Sequence, residues 1–133
     1  MMRKIFPISI AAVLLLAAVA AYGHHSYAAT YDTAKEVKLQ GKLIQFVFRN
    51  PHSYVTIQAP DAKGTMQRWA VEWAGSAQLS NRGITQETLK INDAITIVGR
   101  PSRVTGEYRL LMVNLTRPAD GFSWGTRSGE VVD

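Results

Sequence analysis

Residues 37–48 read VKLQGKLIQFVF, and their hydrophobic pattern changes phase partway along. The apolar residues up to Leu43 share one phase of a two-residue alternation, whereas those from Ile44 to Phe48 continue in the opposite phase. Side chains of a strand alternate between two faces, so a change of phase beside Gly41 indicates a β-bulge or sharp coil. This stretch therefore predicts a strongly coiled first strand.

Four more strands and two short helical turns are predicted downstream of this strand. Alternating apolar and polar residues place the strands at 53–59, 66–73, 94–98 and 108–115, and the helical turns at 76–79 and 85–89. Three strands, a short helix and two strands, with a coiled first strand, is the arrangement of an OB-fold. The predicted fold class is all-β with small α content: a five-stranded OB-fold-like barrel with a short helix between strands 3 and 4.

The amino terminus has the three-part pattern of a secretory signal peptide. Arg3 and Lys4 precede an almost wholly apolar stretch, and small residues follow it. Pro7 shortens the uninterrupted apolar run to about 15 residues, fewer than the ~20 that a spanning helix needs. We therefore predict that residues 1–23 are a cleaved signal peptide, that the mature protein is periplasmic or secreted, and that no stable membrane span remains.

Length and composition fit one mature domain with extended ends. The chain has 133 residues and no cysteine, which excludes a disulfide framework, a thiolate metal site and a cysteine nucleophile. Removing Arg3 and Lys4 from the 15 basic residues leaves 13 against 10 acidic ones, scattered without a basic run, so no nucleic-acid partner is expected. The predicted organisation is an N-terminal arm at 24–36, a barrel at 37–117 and a flexible C-terminal tail at 118–133.

The three histidines are the strongest candidates for chemistry. His24 and His25 stand at the expected signal junction, and His52 follows Asn50-Pro51 between the first two strands. Cleavage after Gly23 would let the free amine and imidazole of His24 chelate one metal ion, with His52 as a third nitrogen and His25 as an alternative or outer ligand. Cleavage after Ala21 would instead make His24 the third residue, where the amine, two deprotonated amides and the imidazole can hold Cu(II) or Ni(II) in a square plane. Nitrogen ligands in a square-planar arrangement favour copper or nickel over zinc. Copper is therefore the predicted cofactor.

Two sets of residues on the predicted second and third strands have alternative interpretations. Glu72 is either a further metal ligand or outer partner, or a strand residue paired with Arg68 on the same face. Trp69 and Trp73 share the phase of the core; alternatively, they form with Tyr54 a stacking surface for a sugar or peptide.

The motifs also resemble a known family. Their order resembles that of the secreted bacterial proteins of domain-of-unknown-function family 6152. The motifs that carry the resemblance are His24-His25-Ser26, Gly41, Asn50-Pro51-His52, 69–72, 79–83 and 93–99. Asn92 stands where a Gly is expected, and Ile84 where a Trp is expected. The resemblance implies a small periplasmic or secreted β-barrel domain and no particular activity.

Three functional hypotheses follow from the sequence. The first is a non-enzymatic periplasmic binding or accessory module that holds copper and serves a periplasmic protein or small ligand. The second is an oligosaccharide- or protein-interaction module. The third is a copper-dependent redox enzyme. The sequence contains no Gly-x-Ser-x-Gly nucleophile elbow and no phosphate-cradling glycine loop.

Overall fold

The computed structural model describes residues 27–125, and within it residues 31–125 form six strands and one short helix. The strands are β1 (Val37–Val47), β2 (Ser53–Pro60), β3 (Met66–Trp73), β4 (Ala94–Pro101), β5 (Arg109–Arg117) and β6 (Phe122–Gly125), with helix α1 (Ser76–Ser80) between β3 and β4. The predicted signal peptide, His24 and His25 lie outside the described residues.

The first five strands close into a barrel. The sheet order is β3-β2-β1-β4-β5-β6, and an additional parallel pairing between β3 and β5 completes the ring. Closure removes the free edges that would otherwise invite pairing with another chain. The predicted fold class, a five-stranded OB-fold-like barrel with a short helix between strands 3 and 4, is confirmed.

The coil of β1 has two local causes. The register between β1 and β2 shifts between Leu43 and Gln45, so the predicted bulge lies at Ile44, a few residues beyond Gly41. Gly41 contributes differently: a Cβ atom at this position would overlap the carbonyl oxygen of Gln58 on β2. The glycine therefore lets the two backbones approach where the strand coils.

The barrel interior is apolar and is filled from every strand of the ring. Trp69, Val71 and Trp73 are buried, which confirms the core face predicted for β3. Ile84, which follows α1, is also buried in this core. Asn92, before β4, has φ 73°, a left-handed conformation that glycine and asparagine adopt most readily. This explains why glycine would suit the position.

Two predictions of local structure downstream of β3 differ from what the chain forms. Residues 85–89 form turns rather than a helical turn. The tail predicted at 118–133 contains β6, whose Trp124 packs edge-on against Trp73 with ring centroids 5.2 Å apart. Burying this aromatic ring supplies the free energy that orders so short a strand. Residues 126–133 lie outside the described residues.

The arm predicted at 24–36 also differs from the extended segment expected. The chain divides into two units, residues 1–30 and 31–133, and of the first unit only the helical residues 27–30 are described. The second unit begins at Tyr31, which forms a β-bridge with Ser102. Within residues 27–125, no helix combines the length and the hydrophobicity required to cross a bilayer.

Candidate functional site on the outward face

The candidate site lies on the outward face of the barrel, the surface formed by the side chains of β2, β3 and β5 that point away from the core. Tyr54 on β2 pairs with Glu72 on β3, which pairs with Leu111 on β5. Paired residues of neighbouring strands point to the same side of a sheet. Alternation would normally leave an outward glutamate in water, but Glu72 is only 7% exposed.

Tyr31 covers Glu72. Its hydroxyl donates a hydrogen bond of 2.5 Å to Oε2 of Glu72, and its side chain is among the largest fully buried ones. Burial, together with the hydrogen bond to the neighbouring carboxylate, raises the pKa of Tyr31 well above its ordinary value. The backbone N–H of Asp32 donates to the carbonyl of Pro101, which fixes the chain beside Tyr31. Tyr31 is thus a neutral donor held over the carboxylate.

Arg109 supplies the positive charge beside this carboxylate. Its Nη2 atom donates to Oε2 of Glu72 across 3.3 Å, and its guanidinium carbon lies 5.5 Å from the centre of the Tyr31 ring. Arg109 is positioned at the start of β5, where it pairs with Ala70 on the parallel neighbour β3. Oε2 of Glu72 therefore accepts from one neutral and one charged donor, as a buried carboxylate requires.

His52 faces the other oxygen of the same carboxylate. Its Nδ1 atom lies 3.6 Å from Oε1 of Glu72, and its side chain is 36% exposed. This separation is within the range of an ion pair but longer than a hydrogen bond. The imidazole therefore has a carboxylate on one side and remains accessible to solvent.

The loop that carries His52 is fixed by its neighbours. The Arg49 N–H donates to Oγ of Ser53, and the Ser53 hydroxyl is also within hydrogen-bond distance of the Arg49 carbonyl oxygen, each at 3.2 Å. Oδ1 of Asn50 accepts from the N–H of Ala77 in α1. These contacts tie the β1–β2 connection to the barrel and to the helix, so His52 projects from a well-defined backbone.

Tyr54 and Arg49 extend the site beyond Glu72. The guanidinium carbon of Arg49 lies 5.4 Å from the centre of the Tyr54 ring, a cation–π arrangement. Tyr54 is half-buried and Arg49 is exposed. The site thus combines a buried carboxylate with an exposed surface that is aromatic and basic.

The predicted site residues are only partly brought together. Among residues 27–125, no three His, Cys, Asp or Glu side chains form a group that could hold a metal ion. His52 and Glu72 are neighbours, and the ion-pair partners of Glu72 are His52 and Arg109 rather than Arg68.

The stacking surface predicted from Tyr54, Trp69 and Trp73 is not formed. Trp69 and Trp73 point into the core and are 8% and 2% exposed, whereas Tyr54 points outward from the barrel. The reason is the pleat: Trp69 and Trp73 pair with Ile57 and Ser53, which alternate with Tyr54 along β2.

Three residues of the site were not predicted from the sequence. Tyr31 and Arg49 flank predicted strands, in segments without periodicity, and Arg109 reaches Glu72 only through the parallel β3–β5 pairing. One signal was present for Arg109: it lies at the start of the fifth predicted strand, opposite in phase to the buried Leu110.

This combination defines a small OB-fold-like β-barrel with a polar cluster on its outward face. The sequence matches the model of the Family of unknown function (DUF6152) over residues 12–109, so the chain belongs to this family, which confirms the resemblance read from the motifs. Neither a curated protein nor a solved structure matches the chain.

Proposed function

We propose that this protein is an exported, non-enzymatic binding module that holds one copper ion. In this proposal the amine and imidazole of His24 supply two nitrogen ligands and His52 supplies the third, with His25 as an alternative or outer ligand. The observation that carries the proposal is the pairing of the partly exposed imidazole of His52 with the buried carboxylate of Glu72. The signal-peptide pattern predicted for residues 1–23 supports the assignment to the periplasm or the cell exterior.

The chemistry of His52 suits copper. Neutral imidazole is a good ligand for Cu(II), and the metal competes with a proton for its ring nitrogen. Histidines that bind metals commonly have a carboxylate beside the other ring nitrogen, because it orients the ring and raises its basicity. Glu72 is suited to that role: Tyr31 and Arg109 hold its Oε2 atom, while Oε1 faces Nδ1 of His52.

The amino-terminal histidines supply the remaining nitrogen atoms in this proposal. After cleavage behind Gly23, the first mature residue would be His24, whose free amine and imidazole can chelate one ion together. His25 offers another imidazole next to it. Their contribution is inferred from the sequence, since both residues precede the described part of the chain.

The test is native mass spectrometry of the mature, untagged protein, titrated with Cu(II) in the presence of a competing chelator. We expect a mass that begins at His24 and one copper ion per chain. Electron paramagnetic resonance of the complex should show coupling to several nitrogen atoms. The proposal is overturned if the protein retains no copper against the chelator.

Variants identify the ligands. We expect His24→Ala and His52→Ala each to weaken Cu(II) binding more than substitutions of Tyr54, Arg68 or Arg109 do. Glu72→Gln should weaken it by about tenfold or more while His52 remains bound, because a group behind a ligand tunes its orientation and basicity. Gln58→Ala, which alters an exposed position of β2, the strand that follows His52, is the control and should bind copper like the parent. Equal affinities for His52→Ala and Gln58→Ala would exclude His52 as a ligand.

A further inference from the structure

The outward face carries more positive charge than the Glu72 cluster uses. Among the outward positions of β2, β3 and β5, Arg68 and Arg109 are basic and Glu72 is the one acidic residue. Arg49 adds a further guanidinium at the end of β1. The negative charge of Glu72 is already shared between Arg109 and His52. The surface beside Glu72 therefore has an excess of cationic donors.

Arg49 presents a guanidinium that has no carboxylate partner among the described residues. Its Nε atom is 3.4 Å from the carbonyl oxygen of His52, and its planar head lies over the ring of Tyr54. Among residues 27–125, no Asp or Glu lies within ion-pair distance of Arg49. Stacking on a tyrosine costs the guanidinium little of its hydrogen-bonding capacity, because its donors point outward in its own plane.

Arg109 contacts the residue that is paired with the same tyrosine. Tyr54 lies on β2 between β1 and β3, and it is paired with Glu72, the residue that Arg109 contacts. Arg109 contacts the carboxylate of Glu72 through Nη2 alone and does not form a bidentate pair with it. A guanidinium has five N–H donors, so this contact leaves it able to bind a second acceptor.

We propose that Arg49, which stacks on Tyr54, and Arg109, which contacts the Glu72 paired with Tyr54, bind a ligand that carries an oxyanion, and that this oxyanion is the carboxylate of an acidic saccharide. The planar donor fork of a guanidinium matches the geometry of carboxylates and phosphates. The face formed by strands 2 and 3 is the one on which OB-folds bind oligosaccharides, and Tyr54 supplies an aromatic edge next to the anion site. This inference does not depend on copper.

The test uses metal-free mature protein and three probes: glucuronate, glucose and inorganic phosphate. Binding is followed by two-dimensional NMR of the backbone amides and the arginine Nε–H groups. We expect glucuronate to shift the signals of Arg49, Tyr54 and Arg109, and glucose to leave them unchanged. The affinity should fall as ionic strength rises, because exposed charges are screened.

The phosphate titration distinguishes the two sources of an oxyanion. Tighter binding of glucuronate supports the acidic saccharide. Tighter binding of phosphate would overturn the saccharide assignment and point to a phosphorylated ligand instead. Binding of glucose as strong as that of glucuronate would overturn the anion site itself.

Substitutions separate a defined site from general attraction by the basic surface. Arg49→Gln should weaken glucuronate binding by about tenfold, the loss expected for a charge-assisted hydrogen bond. It should leave the fold intact, because no carboxylate within residues 27–125 pairs with Arg49. Arg68→Gln removes the same charge from the outward face and should change the affinity less than twofold. Equal losses in the two variants would overturn the proposal.

Discussion

Tyr31 and Glu72 are joined by a buried hydrogen bond although 41 positions of the chain separate them. The bond connects the segment that leads into β1 with the end of β3, and it lies where Arg109 and His52 also meet the carboxylate. A glutamate on the outward side of a strand would gain nothing from burial alone, because removing a charge from water is costly. The donors around Glu72 are what make its position stable.

The first prediction concerns this hydrogen bond. Tyr31→Phe keeps the ring over Arg109 but removes the hydroxyl that Glu72 accepts from, so the free energy of unfolding should fall by about 1–3 kcal/mol. Urea denaturation followed by tryptophan fluorescence measures the change. Tyr108→Phe is the matched control, since the Tyr108 hydroxyl makes only a long contact of 3.5 Å to Asp61. Equal stabilities of the two variants would contradict the role assigned to Tyr31.

The second prediction concerns the close approach of β1 and β2. Gly41→Ala should lower the free energy of unfolding by more than about 2 kcal/mol, because the new methyl group would overlap the Gln58 carbonyl and force the strands apart. Gly64→Ala meets no neighbouring atom but is strained by its φ of +83°, so a loss of about 1 kcal/mol is expected. Thermal unfolding by circular dichroism ranks the two. The reverse order would show that β1 relaxes around the added group.

The third prediction concerns β6. Trp124→Ala removes the edge-on contact with Trp73 and should cost about 2 kcal/mol, somewhat less than a fully buried tryptophan because the site is only partly covered. Val104→Ala, at a position that is 63% exposed, should leave stability unchanged within about 0.5 kcal/mol. Chemical denaturation measures both. An unchanged Trp124→Ala variant would mean that β6 contributes nothing to the core.

The fourth prediction concerns acid stability. Burial by itself would raise the pKa of Asp93. The N–H of Lys90 and the guanidinium of Arg117, whose Nη1 atom lies 2.7 Å from Oδ2 of Asp93, outweigh it and hold this pKa below its usual range. The stability that ionised Asp93 contributes is therefore complete above its unfolded pKa of about 3.9 and is lost as the pH falls through its lower folded pKa.

Removing this arginine tests the argument. Arg117→Gln should lower stability at pH 7 by about 2 kcal/mol, since it also loses contacts with Thr88 and Asp120. Acid unfolding, followed by far-ultraviolet circular dichroism, should begin at a higher pH than in the parent. Arg68→Gln serves as the comparison. An unchanged acid transition in the Arg117→Gln variant would show that Asp93 does not govern it.

The barrel could be predicted from local patterns because each of its five strands has its own hydrophobic alternation in the sequence. Alternation fixed β3 at Met66–Trp73, and the phase change near Gly41 revealed the bulge, since both are properties of a few consecutive residues. Strand β6 escaped prediction for the opposite reason. It has only four residues, and what orders it is the contact between Trp124 and Trp73, which no local pattern reports.

The candidate site was harder to predict than the fold. His52 and Glu72 were singled out for their chemistry, but the partners of Glu72 come from the segment before β1, from the β1–β2 connection and from β5. Only the strand order and the pairing of β3 with β5 bring them together. An outward glutamate also looks solvent-exposed by alternation, and its burial depends on Tyr31, which belongs to no strand.

The parallel pairing of β3 with β5 has a consequence for the rate of folding. The pairs β1–β2, β2–β3 and β4–β5 join neighbours in sequence, whereas the ring closes through Val71 opposite Leu110 and Val37 opposite Gly99. A contact between residues far apart in sequence must first close a long loop, which costs conformational entropy before the contact stabilises the structure. We therefore expect the β1–β2–β3 meander to assemble early and ring closure to limit the rate. The Glu72 cluster, which needs β5 beside β3, would then be completed only in the last step of folding.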